Sequence, residues 1–262
     1  MGDIARCSLG KPGEFYSEEL LYQMFGVNAE LLIDHAWGYE PCTIAQIRAY
    51  KPQSSSLGCG QVLPCPYTAD KARIVVQEMI DGISLELVEK RLVTDQLVLT
   101  VGYDIENLTR PEIRKVYKGP VTTDRYGRRV PKHAHGTWNL PRATSSSSEL
   151  LEAMAALYDK IVNPALLIRR MSLSACHVVN EKMAKEREQK ETFEQLDLFT
   201  DYAKKEVKEK EEQKKRERER RMQEALLTIK KKYGKNAVLR GMNFEEGATA
   251  KERNGQIGGH QA

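Results

Sequence analysis

Strand-like and helix-like segments alternate between residues 54 and 180, and this alternation constrains the fold more than any other feature of the sequence. Residues 67–91 carry apolar side chains at helical spacing, and residues 150–161 predict a second amphipathic helix behind a run of serines that can cap it. Residues 94–103 are rich in β-branched side chains, which is typical of a strand. Further strands are predicted over residues 54–63, 132–140 and 166–179. The order β-α-β-β-α-β predicts an α+β, ferredoxin-like domain, in which both helices cover one face of a four-stranded antiparallel sheet.

The opposite face of such a sheet has no helical cover. In the last predicted strand, apolar residues at every second position from Met171 to Ala175 alternate with Arg170, Ser172 and Ser174. Because neighbouring side chains of a strand point to opposite faces, we expect the apolar residues against the helices and the polar residues on the open face. An open face that carries arginine and serine is either solvated or binds a polar partner.

Positive charge is concentrated in one part of the 262-residue chain. The formal net charge is only +4, yet the segment from Arg110 to Arg142 holds nine basic residues against two acidic ones, Glu112 and Asp124. Such an excess is unfavourable unless a polyanion neutralises it, which favours nucleic acid as a partner. The alternative interpretation is a solvated loop, because charge runs are commonly solvated.

The flanking segments differ from this central domain. Residues 1–50 predict a small helical region, with helices within 16–25 and 29–36. Residues 181–262 are dense in Glu, Lys and Arg and lack a heptad seam, which predicts a solvated helix or a partly disordered tail, with little regular structure beyond about residue 234. No apolar run approaches the roughly 18 residues of a membrane helix, and the N-terminus lacks a signal-peptide pattern. We therefore expect a cytoplasmic protein with no membrane partner, whose five scattered cysteines are reduced thiols.

Four stretches carry a family likeness: Gln61–Tyr67, Leu92–Tyr103, Gly119–Gly127 and Lys132–Gly136. They resemble the C-terminal part of Y-family translesion DNA polymerases, and specifically the UmuC-type DNA-repair branch of Gram-positive bacteria, which acts in the SOS response to DNA damage. The resemblance implies that residues 54–180 are a "little finger". In that family the open sheet face of the little finger lies in the major groove of the template-primer duplex and holds its phosphates.

The resemblance also implies what this chain lacks. Residues 1–50 resemble only the later part of the polymerase thumb, and the palm and fingers, whose carboxylates hold the catalytic magnesium ions, have no counterpart. Ser17–Glu19 and Ser148–Glu149 are ordinary helix starts. We therefore expect a non-catalytic chain that binds no cofactor itself, and that is either a stand-alone protein or part of a polymerase whose palm is encoded upstream.

Two groups of site residues follow from this resemblance. The first is expected to contact the phosphates of template-primer or damaged DNA without reading sequence. It comprises Arg110, Arg114, Lys115, Lys118, Arg125, Arg128, Arg129, Lys132, Arg169 and Arg170. The second matches the QLxLF pentapeptide by which bacterial polymerases bind the β sliding clamp, the alternative being an apolar anchor of a helix that folds back on the domain. It comprises Gln195, Leu196, Asp197, Leu198 and Phe199.

Other interpretations stay open. A stand-alone RNA-binding or ribosome-associated protein is the alternative function, although RNA recognition on such a sheet needs aromatic side chains and the central strands offer only Tyr103 and Trp138. His133 and His135 lie two apart on a predicted strand, but no further metal ligand is near them in sequence, which favours a polar strand surface that contacts phosphates.

Overall fold

The computed structural model describes residues 1–40, 42–50, 56–124, 127–184, 186, 202–257 and 260–261. The chain divides into two compact units, Met1–Gln53 and Ser54–Ala262. Helices dominate the first unit, whereas the second combines helices with antiparallel strands, so the protein is of the α+β class. None of the described helices is both long enough and apolar enough to cross a membrane.

Short helices build the first unit, and its core is small. Its helices are α1 (Gly2–Cys7), α2 (Glu18–Phe25), α3 (Asn28–Ala36) and α4 (Ile44–Ala49). Cys7, Leu21 and Ala29 are buried together, with Ile4, Leu20 and Ile33 packed against them. The apolar side chains of α2 are therefore only partly buried, because Leu21 is buried while Met24 and Phe25 are exposed.

The second unit is organised around a four-stranded antiparallel sheet. The strands are β1 (Leu57–Tyr67), β2 (Leu92–Tyr103), β5 (Ala134–Thr144), β6 (Ile168–Cys176) and β7 (Val179–Asn180), and the two long helices between them are α5 (Ala69–Lys90) and α8 (Ser147–Ile161). The strand order in the sheet is β1-β6-β2-β5, and the short β7 pairs with the first residues of β2. Each of these helices lies within a few residues of its predicted bounds.

The sheet and its two helices enclose the main core. Leu97 and Leu99 of β2 and Leu173 of β6 are fully buried beneath α5 and α8. The two helices are also joined by polar contacts, since the Tyr158 hydroxyl donates to the Ala69 carbonyl at 2.7 Å. Burial raises the pKa of Tyr158, which keeps this hydroxyl protonated as a donor. Ser146 caps α8 by accepting the Glu149 N–H, as the serine run predicts.

Strand β1 extends beyond its predicted end. Among the described strands β1 pairs with β6 alone, so it lies at the edge of the sheet, and its register with β6 is broken between Val62 and Tyr67. Pro64 and Pro66 lie in this interval. Proline has no N–H to donate to a ladder and is tolerated at such edges, so the strand continues past the point where the prolines predicted its end.

The basic segment after β2 is more structured than the loop that the sequence predicts. It contains α6 (Glu106–Thr109), α7 (Pro111–Val116) and a hairpin of β3 (Val121–Thr123) with β4 (Arg129–Pro131). The Asp104 carboxylate accepts the Glu106 N–H at 2.8 Å, which starts α6, and Pro111 occupies the first turn of α7. Strand β5 therefore begins at Ala134 rather than Lys132, and it runs to Thr144 rather than Leu140.

Within the described residues, a helix is present in the charged segment, as one of the two alternatives predicted, whereas the prediction of little regular structure beyond about residue 234 is wrong. Helix α9 (Tyr202–Tyr233) is followed by a 3-10 helix (Gly241–Phe244), α10 (Ala250–Arg253) and a short hairpin of β8 (Gln256–Ile257) with β9 (His260–Gln261). Gln223 of α9 is buried, and its amide donates to the Ser145 carbonyl at 3.0 Å and to Ser147 Oγ at 2.8 Å. The segment after α9 packs on α5. Polar contacts between residues far apart in sequence attach this region, and a search for an apolar stripe does not detect them.

Candidate nucleic-acid interface

One face of the sheet of the second unit is polar and lined by small side chains. The register places Gly60, Ser172, Thr100 and His135 side by side in one row across four strands. The next row contains Gly58, Ser174, Val98 and Thr137, and a third contains Val62, Arg170 and Gly102. These residues alternate along their strands with the buried core residues. They form the face opposite the helices, which we call the open face.

Strand β6 confirms the alternation predicted for it. Met171, Leu173 and Ala175 are buried at 3% exposure or less, whereas Arg170 and Ser172 are exposed. On β6 the open face therefore presents a guanidinium and hydroxyl groups, while Val98 and the exposed Val62 are apolar side chains from the neighbouring strands. With glycine at several of its positions, it allows a phosphate backbone to approach the strands closely.

The basic segment presents several cations to solvent. Within the described parts of the chain, five of the predicted contact residues are exposed and have no carboxylate oxygen within 4.0 Å. These residues are Arg114 and Lys115 on α7, Lys118 after it, Arg129 on β4, and Lys132 before β5. Cations without a paired carboxylate keep their full attraction for a polyanion.

Three other predicted contact residues have partners within the chain. Arg110 is bound to Glu106 one helical turn away, with Nε 2.9 Å from Oε2, and Arg128 Nη2 lies 2.8 Å from Asp124 Oδ2. The Arg110 pair is exposed on both sides and is therefore weak, whereas Asp124 is only 9% exposed and also accepts the Arg128 backbone N–H at 2.9 Å, which holds Arg128 more firmly. Arg169 is held as well, because its Nη1 donates to the Pro64 carbonyl at 3.2 Å and its Nε lies 3.8 Å from the buried Asp104 carboxylate. Arg169 therefore links β6 to β1 and to Asp104, and its contact with phosphate stays a prediction.

These cations collect at one end of the sheet. The basic segment leaves the sheet after Tyr103, the last residue of β2, and returns at Ala134, the first residue of β5. Arg170 is at the same end, since it pairs with Gly102 of β2 in the register. The basic segment and the open face thus meet there, where a shallow depression is lined by Gly60, Thr100, Gly102, His133, Arg170 and Ser172.

The other end of the open face is closer to neutral. Gln96 of β2 donates to the Asn139 side chain of β5 at 2.9 Å, and His177 Nδ1 lies 2.9 Å from Asp95 Oδ1. The interface is therefore polarised along the strands, with its unpaired cations at the end from which the basic segment emerges.

Some predicted site residues lie outside the described residues. They are Arg125 and the pentapeptide Gln195, Leu196, Asp197, Leu198 and Phe199. Their roles in binding DNA and the sliding clamp stay predictions from the sequence.

The structure adds residues that the sequence reasoning did not assign to the site, namely Gly60, Thr100, Gly102 and Ser172. His133 and His135 border the same region as exposed side chains, and His135 Nδ1 lies 2.9 Å from Thr100 Oγ1. Ser172 was predicted on the open face, but only the cross-strand register shows which residues of the other strands are its neighbours. Among the described residues, no group of three His, Cys, Asp or Glu side chains is placed to hold a metal ion.

One cysteine of the sheet has a thiol of low reactivity. All five cysteines are free thiols, and Cys59 of β1 is half-buried and packs against the core. Burial raises the pKa of the Cys59 thiol to about 11, which keeps it protonated and a poor nucleophile at neutral pH.

Comparison with known proteins does not assign a family. No family model matches the chain, and a search of curated proteins finds no similar sequence.

Proposed function

We propose that this chain is a non-catalytic, DNA-binding portion of a Y-family translesion polymerase that acts in DNA repair. The observation that carries the proposal is the polar open face of the sheet, joined at one end to a segment with five exposed cations that have no carboxylate partner among the described residues. A surface of this kind matches the charge of a duplex backbone, and phosphate contacts are indifferent to base sequence or base damage.

The strand connections support a ferredoxin-like little finger. Strands β1 and β2 run in the same direction with β6 between them, and β5 and β6 do so with β2 between them. The two units β1-α5-β2 and β5-α8-β6 are therefore interleaved. Strand β6 lies between the two strands of the first unit, and β2 lies between the two strands of the second. This split arrangement leaves one sheet face without the connecting helices, as the proposed binding mode requires.

Glu18, Glu19 and Glu149, the acidic residues of the two Ser-Glu sequences considered above, have structural positions, which supports a binding role for this chain. Glu18 and Glu19 lie in the first turn of α2, and Glu149 lies in the first turn of α8, where it pairs with Arg142 and Arg216. Acidic residues in these positions stabilise helix N-termini. In the full-length family, palm carboxylates hold magnesium, and we propose that this chain contributes grip on the duplex and leaves that chemistry to other residues.

The alternative of an RNA-binding protein lacks the aromatic platform that it requires. Trp138 packs against the core from the covered face of β5, and Tyr103 is 8% exposed, with its hydroxyl accepting the Asn163 N–H. In the part of the open face that the structure describes, the three rows carry no Phe, Tyr or Trp side chain, and their one imidazole, that of His135, lies 2.9 Å from Thr100 Oγ1.

Salt-dependent binding to duplex DNA tests the proposal. We expect the full chain to bind a labelled 20-base-pair duplex in fluorescence anisotropy, and log K against log salt concentration to have a slope of about −3.6 if four phosphates are neutralised. Substituting Arg114, Lys118 and Arg129 together by Ala should weaken binding to duplexes of different sequence equally. Substituting Lys90, Lys232 and Lys235, which lie on α5, on α9 and after it, serves as the control of equal charge. An affinity independent of salt, strong sequence preference, or equal losses in the two triple variants would contradict the proposal.

We further propose that residues 195–199 bind the β sliding clamp. The support is the match to the QLxLF pattern, in which two apolar side chains enter a pocket while the glutamine amide anchors the other end. Substituting Leu198 and Phe199 by Ala should abolish clamp pull-down and leave the anisotropy with duplex DNA unchanged. Retained pull-down by this double variant would refute the assignment.

A further inference from the structure

Arg170 has an unusual support on the open face. It lies near the beginning of β6, opposite Gly102 of β2. A Cβ built on Gly102 would lie 2.6 Å from Arg170 Cγ and 2.7 Å from its Nε. Since real Cβ atoms do not approach so closely, the arginine stem occupies the space that any other residue at position 102 would fill. Gly102 is itself buried, as expected for a backbone covered by this stem.

The charged end of Arg170 is available to a ligand. The side chain is exposed, and within the described ranges it has neither a carboxylate within 4.0 Å nor a hydrogen-bond partner. An arginine that lies flat across a strand has lost part of its rotational freedom before binding. Less entropy is then lost when its guanidinium fork binds a phosphate.

A hydroxyl group accompanies this guanidinium. Ser172 follows two residues later on β6, so its side chain is on the same face, and it is exposed without a hydrogen-bond partner among the described residues. On the other side of β6, Gly60 faces Ser172 across the ladder and leaves the strand without a side chain there. A guanidinium and a hydroxyl beside bare backbone match the donors that commonly contact phosphate oxygens.

We propose that Arg170 and Ser172 form a subsite for one phosphate of the DNA backbone. Gly102 is the positioning residue, because its lack of a side chain leaves the space in which the Arg170 stem lies. This inference rests on the proposed function and names the contact within it. Gly102 touches no DNA in this arrangement. Its role is to leave the room in which the arginine stem lies.

Gly102→Ala is the direct test, with Gly60→Ala as the matched control on the same face. At Gly102 the three atoms nearest to the added methyl all belong to the flexible Arg170 side chain, so we expect the arginine to move and the strand to stay. At Gly60 the nearest atom to an added Cβ is the Met171 carbonyl oxygen at 3.7 Å, an ordinary contact. Both variants should therefore keep the wild-type circular dichroism spectrum and melting temperature, which separates a binding effect from misfolding.

Anisotropy with the 20-base-pair duplex across a salt series gives the measurement. We expect Arg170→Ala to bind about tenfold more weakly and to lower the salt slope by about one. Gly102→Ala should show most of that loss, whereas Arg170→Lys and Gly60→Ala, which leaves the Arg170 stem in place, should each show a smaller loss. Adding Gly102→Ala to Arg170→Ala should cause no further loss, because the two positions act through the same side chain. Ser172→Ala should weaken binding severalfold without changing the slope.

The possible outcomes distinguish failure of the proposed function from failure of the phosphate subsite alone. Wild-type protein that fails to bind the duplex, or prefers single-stranded RNA, overturns the proposed function and the subsite with it. Wild-type protein that binds the duplex with a steep salt slope, while Gly102→Ala or Arg170→Ala binds equally well, overturns the subsite alone. Equal weakening by Gly60→Ala and Gly102→Ala would show that any added methyl on the open face obstructs DNA, and it would refute the positioning role of Gly102.

Discussion

Replacing Glu78 by Ala should detach the segment that follows α9 from the domain. Glu78 lies on α5 and is only 3% exposed, and both oxygens of its carboxylate are used. Oε1 accepts the Asn243 side-chain amide at 2.8 Å, and Oε2 accepts the backbone N–H groups of Thr249 at 2.8 Å and of Ala250 at 3.0 Å. The Thr249 hydroxyl donates to the same oxygen at 3.2 Å. A single side chain thus satisfies four donors from residues 243–250.

The cost of Glu78→Ala follows from those donors. The truncation leaves two buried backbone N–H groups without an acceptor, at about 1–3 kcal/mol each, so about 4 kcal/mol in total. If the segment opens, water can reach these groups, and the measured loss of stability is then limited to the free energy of undocking it. Glu78→Gln keeps the shape and one acceptor oxygen and should cost only about 1–2 kcal/mol, because the bonds lose their charge.

Hydrogen exchange and urea unfolding together test this reasoning. In Glu78→Ala the amides of Thr249 and Ala250 should lose protection, while those of Leu97 and Leu99 in the central strand β2 stay protected. Lys71→Ala is the control, since it removes an exposed, solvent-screened pair with Glu246 on the same segment that contributes little to stability. Unchanged protection at residues 249–250 in Glu78→Ala, or an equal effect of Lys71→Ala, would refute the view that Glu78 anchors the segment.

Two further predictions concern α8. Burial alone would raise the pKa of Glu219, but hydrogen bonds from the Ser146 hydroxyl and from the Ser148 N–H and hydroxyl outweigh it and hold the pKa below the ordinary 4.5. Since a carboxylate with a lowered pKa stabilises the fold only while it is ionised, this contribution is complete above pH 4.5 and is lost as the pH falls through the lowered value. Glu219→Gln should therefore lose stability at pH 7 and much less at pH 3 in urea titrations, and a loss independent of pH would contradict the assignment. Gly136→Ala places a methyl 2.8 Å from Ile161 Cγ2 and should lower stability by about 1–3 kcal/mol in the same assay, whereas an unchanged midpoint would show that α8 can shift away.

The elements of the sheet domain were predictable because their signals are local and periodic. Helices α5 and α8 each place a stripe of apolar side chains against the sheet, and the alternation in β6 identifies its buried face without any knowledge of its neighbours. The short elements α6, α7 and the β3–β4 hairpin were missed, because segments of three to six residues are too short to show a period. What starts α6 is the Asp104 carboxylate, a single contact that composition does not reveal.

The attachment of α9 was missed for a different reason. A search for apolar residues at helical spacing assumes that a helix docks through hydrophobic burial. Here Glu219, Arg220 and Gln223 lie on one face of α9 and reach the N-terminus of α8, where Gln223 is buried and Arg220 donates to Ser145 Oγ at 3.0 Å. Charged and amide side chains such as these indicate a solvated helix surface when only the sequence is considered. Only their partners, more than seventy residues earlier in the chain, show that they form an interface.

Charge counting located the candidate interface only coarsely. Of the nine basic residues between Arg110 and Arg142, the structure pairs Arg110, Arg128 and Arg142 with nearby carboxylates. The excess that attracts a polyanion is therefore smaller than the sequence suggests, and it is carried by α7, the β3–β4 hairpin and the residues that lead into β5. No charge count over this segment can add Arg170 to the group, because Arg170 lies beyond the segment in sequence and joins it only through the pairing of β6 with β2. The register that places Arg170 over Gly102 is thus what turns a basic segment and a polar strand into one surface.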